Sequence, residues 1–211
     1  MPRPPFERLE PARREAIFDA AAAEFGEHGF QRASYNRIIE RAGLSKGAMY
    51  YYFDDKQDLF VTVVDDAVSE LFDSLEPLGE VTGAEAFWAG FERVSLAVWR
   101  RMLEAPRVAR LMPALLDPRS ISDVPEVGAV MSERATGWLT EVLRQGRAVH
   151  AVRDDLPDDL LLGVTLAVGM ACDRWAAQRL MGEGGPRPEA PPPAVIVGTV
   201  VDLMRRLLAP A

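Results

Sequence analysis

The sequence predicts an all-α protein in which an N-terminal three-helix head, built on a helix-turn-helix, is joined by a linking helix to a larger helical body. Three observations carry that prediction. Apolar residues recur at i, i+3, i+4 and i+7 through successive segments, as amphipathic helices require. Prolines and glycines fall between those segments, where helices stop. The stretch Ser34 to Phe53, SYNRIIERAGLSKGAMYYYF, spells a helix, a tight turn and a second short helix. With 211 residues and 48% hydrophobic content, the chain can bury a real core, as one larger domain or as a small head on a larger body.

In chain order, the opening MPRPPFERLEPARRE is charged and proline-rich without an apolar h-region, so no secretory signal is expected. Pro11 to Glu27 reads as a helix whose Ile17, Phe18, Ala21, Ala22 and Phe25 form a broad apolar stripe, with Gly29 and Phe30 as its C-terminal stop. Ser34 is an N-cap, and Tyr35, Ile38, Ile39 and Ala42 share one face of the helix it opens. Gly43 closes that helix in a left-handed position, Leu44 is expected to be buried in the turn, and Ser45 caps the next helix, which turns Met49 and Phe53 inward. Asp54 and Asp55 suit the N-terminus of a fourth helix, which runs through Leu59, Phe60, Val63, Val64, Ala67, Val68, Leu71 and Leu75 to a stop near Pro77 and Gly79.

Beyond it, Ala84 to Glu104 is helical, and prolines 106, 113, 118 and 125 break the next segment into short pieces. Helices are expected at Pro125 to Gly146, Pro157 to Met181 and about Pro193 to Leu208, the last two separated by the stiff, polar loop GEGGPRPEAPPP. The longest apolar run, Leu160 to Cys172, is shorter than the roughly 20 residues that span a bilayer, so a buried helix and no membrane partner are expected. Gly163 and Gly169 would admit close helix approach. In the last helix Val197, Val201, Met204 and Leu208 form one stripe, and Ile196, Val200, Leu203 and Leu207 form its neighbour. So wide an apolar arc must be buried on more than one side, within a monomeric core or against a second copy.

The second short helix leaves Lys46, Gly47, Ala48, Tyr50, Tyr51 and Tyr52 off the Met49/Phe53 face. Phenol hydroxyls can donate to phosphate oxygens, small residues permit close approach to base edges, and Lys46 adds charge where a recognition helix enters a major groove. On spacing alone the alternative is a helical hairpin whose tyrosines pack on neighbouring helices. Arg3, Arg8, Arg13 and Arg14 are expected to form a solvated, partly disordered arm, the other reading being an arm that contacts phosphate or a minor groove.

These residues resemble the TetR-type bacterial transcription regulators. The family's pattern is a Thr or Ser, an Ile, AG, an aliphatic residue, S, G, Y, F and a later Lys. It is matched by Ser34, Ile38, Ala42, Gly43, Leu44, Ser45, Gly47, Tyr50, Phe53 and Lys56, and AAAEFGEHGF fits the family's first helix. Ile39 departs from the usual Ala, and slightly wider packing is expected there. The resemblance covers roughly the first quarter of the chain and implies a DNA-binding domain at 1–55 and a helical effector-binding and dimerisation domain at 56–211. It implies that Tyr35, Tyr52 and Lys56 contact phosphate, that Ser34 caps the helix, and that Asn36, Lys46, Gly47, Ala48, Tyr50 and Tyr51 meet bases or backbone, with Arg37 nearby. It also implies a homodimer through the last two helices, since two recognition helices about 34–36 Å apart match successive major grooves. The implied function is a repressor released from a palindromic double-stranded operator by a small-molecule effector.

Charge qualifies that reading. The net charge is −8, but residues 1 to 53 carry eight Lys or Arg against seven Asp or Glu, a balance of +1, which leaves −9 for the remainder. Acidic groups farther away than the Debye length of about 8 Å hardly affect contacts at the head. Non-specific DNA binding is therefore expected to be poor, with specific binding resting on a few contacts in a dimer.

In the body, Trp88, Phe91, Trp99, Met102, Met112, Met131, Trp138 and Met170 are large, adaptable apolar groups. They read as ordinary core or, by the resemblance, as the wall of a cavity for a mostly hydrophobic ligand. Asp173 is a candidate polar anchor, and Asp173 and Arg174 are otherwise a surface pair or dimer contact. No enzyme, cofactor or metal is expected: His28 and His150 lack metal-ligand spacing, and no phosphate-cradling loop or nucleophile elbow is visible. Cys172, the single cysteine, reads as an inert core thiol. A helical interaction protein that has lost DNA binding and, less favoured, a small-molecule-modifying enzyme are the alternatives. The cytoplasm is the expected location.

Overall fold

The computed structural model describes residues 2–73, 75–116, 118–182 and 185–210. They divide into two compact units, Met1–Glu70 with Ala105–Met131, and Leu71–Glu104 with Ser132–Ala211. The first contains α1 (Pro4–Glu7), α2 (Pro11–Arg32), α3 (Tyr35–Arg41), α4 (Lys46–Tyr52), most of α5 (Lys56–Asp73), α7 (Pro106–Leu116), α8 (Pro118–Asp123) and the start of α9 (Pro125–Ala148). The second contains α6 (Ala84–Glu104), the rest of α9, α10 (Asp158–Leu180), a pair of two-residue strands and α11 (Pro193–Leu208).

The first unit closes on Ile17, Phe25, Ile38, Met49, Phe53, Leu59, Phe60 and Leu111, all fully buried. Its N-terminus is not the solvated arm expected from the arginines. Phe6 of α1 is buried, with its ring 4.7 Å from that of Phe53 and 5.3 Å from that of Phe18. The Arg3 N–H donates to the Tyr52 carbonyl at 2.9 Å, and the Arg3 guanidinium pairs with Asp54. The Phe6 ring supplies the apolar part of that docking. The helical run of α2 is interrupted at Gly29 (φ 68°), where the stop was expected, and then makes one further turn to Arg32.

The compact units do not divide at residues 55 and 56, because α7 folds against α2. A Cβ on Gly26 would lie 1.9 Å from the Arg110 carbonyl oxygen, so only glycine allows the two backbones to come this close. Arg107 of α7, 12% exposed, pairs with Glu15, with Asp19 at 3.3 Å and with Asp66 of α5 at 2.8 Å. The break expected at Pro113 does not occur. Its ring lies on the exposed side of α7 and the helix continues through it.

In the second unit α11 packs on α6 and on α10, around Phe87, Trp88, Val94, Leu180, Val197 and Met204. The linker before α11 begins as a small antiparallel hairpin, β1 (Met181–Gly182) with β2 (Gly185–Pro186), where a loop was expected. Glu183 and Gly184 lie outside the described residues. Gly169 meets the Met204 methyl of α11, whereas Gly163 faces open space and serves no close approach within this chain.

With 23 residues α10 exceeds the apolar run counted in the sequence, and it is long and apolar enough to cross a membrane by length and composition. It also carries Asp173, Arg174 and Arg179. On α11 the first apolar stripe is buried as expected. In the second, Ile196 is buried and Leu203 is 49% exposed. Leu160, Val164 and Met170 of α10 and Val195 of α11 are exposed as well.

Candidate nucleic-acid interface and cavity

In the first unit the short helices are fixed from both ends. The Ser34 hydroxyl accepts from the Arg37 N–H at 3.4 Å and the Ser45 hydroxyl from the Ala48 N–H at 3.2 Å, each satisfying a donor that the first turn leaves free. Gly43, at φ 65°, makes the turn between them. Leu44 is half-buried there. Met49 and Phe53 are fully buried, which turns the opposite side of α4 outward: Tyr50 is 43% and Tyr51 58% exposed, with Lys46 and Gly47 open and Ala48 half-buried. Asn36 and Arg37 of α3 are exposed too.

Glu24, which sequence reasoning missed as a site-shaping residue, sets the position of α3. It is fully buried on α2, and its Oε1 accepts the Ser34 N–H at 2.8 Å and the Arg37 Nε and Nη2 at 2.9 and 2.6 Å. Burial would raise its carboxyl, but the bonds from Arg37 and Ser34 outweigh this and leave it below the usual range. Arg37 is therefore held by the protein, at the edge of the surface.

Lys56, expected at phosphate, is turned into the unit in this structure. Its ammonium donates to the carbonyls of Phe30, Gln31 and Ala33 at 2.8, 3.2 and 3.1 Å, and lies 4.6 Å from the centre of the Phe30 ring. An ammonium has three protons, and all are used inside the unit, with burial pushing the lysine down. Lys56 ties the end of α2 to α5. Tyr35 stands against Tyr50, rings 5.4 Å apart and edge to face, and its hydroxyl is enclosed without a hydrogen-bond partner. Burial first, then Tyr50 and the aspartates at 55, 58 and 54, raise that phenol. Tyr52 is half-buried, its ring 6.2 Å from Phe6.

In the second unit a cavity of about 210 Å³ opens among α5, α6, α9, α10 and α11. Of the expected ligand residues, Phe91, Trp99, Trp138, Met170 and Asp173 line it. The other four do not. Trp88 is core packing beside Phe87 and Phe91, Met102 is buried elsewhere, and Met112 and Met131 belong to the first unit. Size and softness, the only signals available for these four, do not say which way a helix face points. Missed were Leu71, Phe72, Ser95, Gly169, Val197 and Met204, ordinary residues without a chemical signal of their own. Cys172 is buried and lines a separate, larger groove of about 710 Å³ along α10 and α11. Among the described residues no cluster of His, Cys, Asp and Glu could hold a metal.

A family model described as bacterial regulatory proteins, tetR family, matches residues 17–63. The chain is 29% identical over 154 residues to the HTH-type transcriptional repressor Rv1474c of Mycobacterium tuberculosis, covering 71% of this chain and 74% of that protein. It is 31% identical over 153 residues to the HTH-type transcriptional repressor AcnR of Corynebacterium efficiens, covering 70% and 73%. The chain belongs to the TetR family. As a TetR-family protein it is a transcriptional regulator with a helix-turn-helix and not an enzyme. Its helical fold is shared with the regulator FadR of Bacillus subtilis, solved in complex with stearoyl-CoA, at a TM-score of 0.67 and 15% identity over 90% of this chain and 96% of that one. The one departure from the TetR pattern, Ile39, is buried within the first unit without exposing its extra carbons.

Proposed function

We propose that this TetR-family protein is a homodimeric repressor that reads a palindromic operator with α4 and leaves it when a small, mostly hydrophobic molecule occupies the cavity of the second unit. The observation that carries the reading is the division of α4 into two sides. Met49 and Phe53 anchor it without exposure, while Lys46, Gly47, Ala48, Tyr50 and Tyr51 are presented together with Asn36 on a doubly capped frame. Those are the residues we assign to bases and backbone. Lys56 and Ser34 act as positioning residues, Tyr35 and Tyr52 flank the surface, and Arg37 reaches phosphate only if its bond to Glu24 is shared. DNA reading is assigned to residues 1–55 and effector binding and dimerisation to 56–211, a division by role and not by packing.

The homodimer reading is supported by the apolar side chains left open on α10 and α11, Leu160, Val164, Val195 and Leu203, and by the groove beside them. Such surface on a DNA-binding regulator is suited to a second copy, and two-fold symmetry matches a palindrome. Release follows if the ligand binds better to the conformation that fits DNA poorly, since only differential affinity shifts a population. Selection of binding sites from a random DNA pool tests the reading. A palindrome with half-sites about one helical turn apart is expected, and failure to enrich any sequence would leave a helical interaction protein in its place.

A further inference from the structure

The cavity in the second unit has an asymmetric chemistry. Phe91 and Trp138 stack along one wall with ring centres 6.1 Å apart, and Phe72 and Trp99 add two more aromatic faces. Two hydroxyls are present, but that of Thr165 is already spent on the Leu161 carbonyl at 2.6 Å. Among the described lining residues, drawn from every helix around the space, Asp173 is the only ionisable side chain. Among the described residues neither a hydrogen bond nor an ion pair holds its carboxylate; Arg174, the next residue, acts on it through its charge. Asp173 is accessible, as the wall of an open cavity is. The surrounding protein nevertheless takes enough water from it to push its carboxyl up to about 6, against the pull of Arg174.

An anionic ligand would meet no cation in this lining and would be repelled by Asp173. A neutral one would cover part of the water around the carboxylate without supplying a partner for it. An organic cation relieves both, because its charge pairs with the carboxylate while the aromatic faces attract it and the hydrocarbon around it. We propose that the cavity takes a small hydrophobic cation, an organic ammonium whose charge sits on Asp173 and whose hydrocarbon lies against Phe91, Trp99 and Trp138. The proposal rests on the reading of this cavity as the effector site and names the class of effector.

Binding of octyltrimethylammonium, octanol and octanoate to the full-length protein, followed by tryptophan fluorescence and calorimetry, separates the possibilities. The cation is expected to bind at least about tenfold more tightly than either of the others, and Asp173→Asn to abolish that preference while changing octanol binding less than about twofold. A quaternary ammonium keeps its charge at every pH. Its affinity is therefore expected to fall as pH drops below about 6 and Asp173 takes up a proton, by as much as Asp173→Asn lowers it and no further, while that of octanol stays level. Octanoate or octanol binding as tightly as the cation, a cation preference that survives Asp173→Asn, or binding of none of the three overturns the proposal. Cation binding through Asp173 that leaves operator affinity unchanged sustains the site and overturns its role as the effector cavity.

Discussion

Replacing Glu24 by Ala removes the acceptor on which the start of α3 is hung. The Ser34 N–H loses its partner in a half-buried position, a loss of about 1–3 kcal/mol, and the missing side-chain carbons cost about 1 kcal/mol more. Arg37 is half exposed and can be rehydrated, so its two bonds contribute little to the penalty. The other carboxylate oxygen, Oε2, is buried without a hydrogen bond, and its removal returns part of the loss. The net destabilisation of Glu24→Ala is about 2–3 kcal/mol. Glu24→Gln, which keeps an acceptor for Ser34, should lose about half as much.

Urea unfolding followed by far-ultraviolet circular dichroism measures this. All four tryptophans, 88, 99, 138 and 175, lie in the second unit, so their fluorescence reports separately on the part without Glu24. Because the folded carboxyl is lowered, its contribution is present above its ordinary value of 4.5 and is lost as pH falls through the lowered one. The difference between wild type and Glu24→Ala should therefore be full at neutral pH and shrink in acid. A Glu24→Ala protein within about 0.5 kcal/mol of wild type at neutral pH, where surface changes normally fall, would refute the account of Glu24.

Lys56→Met should destabilise the protein by about 1–3 kcal/mol through the three freed carbonyls, and a DNA-affinity loss without any loss of stability would restore the phosphate contact instead. Gly26→Ala should cost about 1–3 kcal/mol or more by forcing α2 and α7 apart, read as a lower urea midpoint; an unchanged midpoint would mean that the close approach is not kept in solution. Leu203→Glu should yield monomers in sedimentation velocity while leaving helicity intact, and a persistent dimer would place the interface elsewhere. In 150 mM salt, gel shifts should show operator DNA bound far more tightly than random DNA, and equal affinity would contradict the nearly balanced charge of the first 53 residues.

Most helix positions were legible because their ends carry chemistry. Ser34 and Ser45 act as caps, Gly43 turns the chain at positive φ, and prolines open α9 and α11 where expected. The outward side of α4 followed from Met49 and Phe53 alone. What escaped were relations between distant segments. Glu24 looks like any helical glutamate until Ser34 and Arg37 are brought to it, Lys56 looks like an exposed charge until three carbonyls surround it, and Arg107 gives no hint of Glu15, Asp19 and Asp66. Phe6 is a single apolar residue among four arginines and gives no periodic signal of its own. In the cavity, Asp173 was visible as a charge in an apolar helix, whereas Trp88 and Met102 are chemically the same kind of residue as Trp99 and Met170 and only packing tells them apart.

Helix α10 has two working sides. Thr165, Leu166, Gly169, Met170 and Asp173 face the cavity, while Ala167, Val168, Ala171 and Trp175 border the outer groove. If a ligand in the cavity and a second copy on the groove each favour a different placement of α10, the two occupancies are linked, and that linkage is reciprocal. In that case ligand affinity would change with protein concentration, and self-association, where it occurs through this groove, would report on occupancy of the cavity.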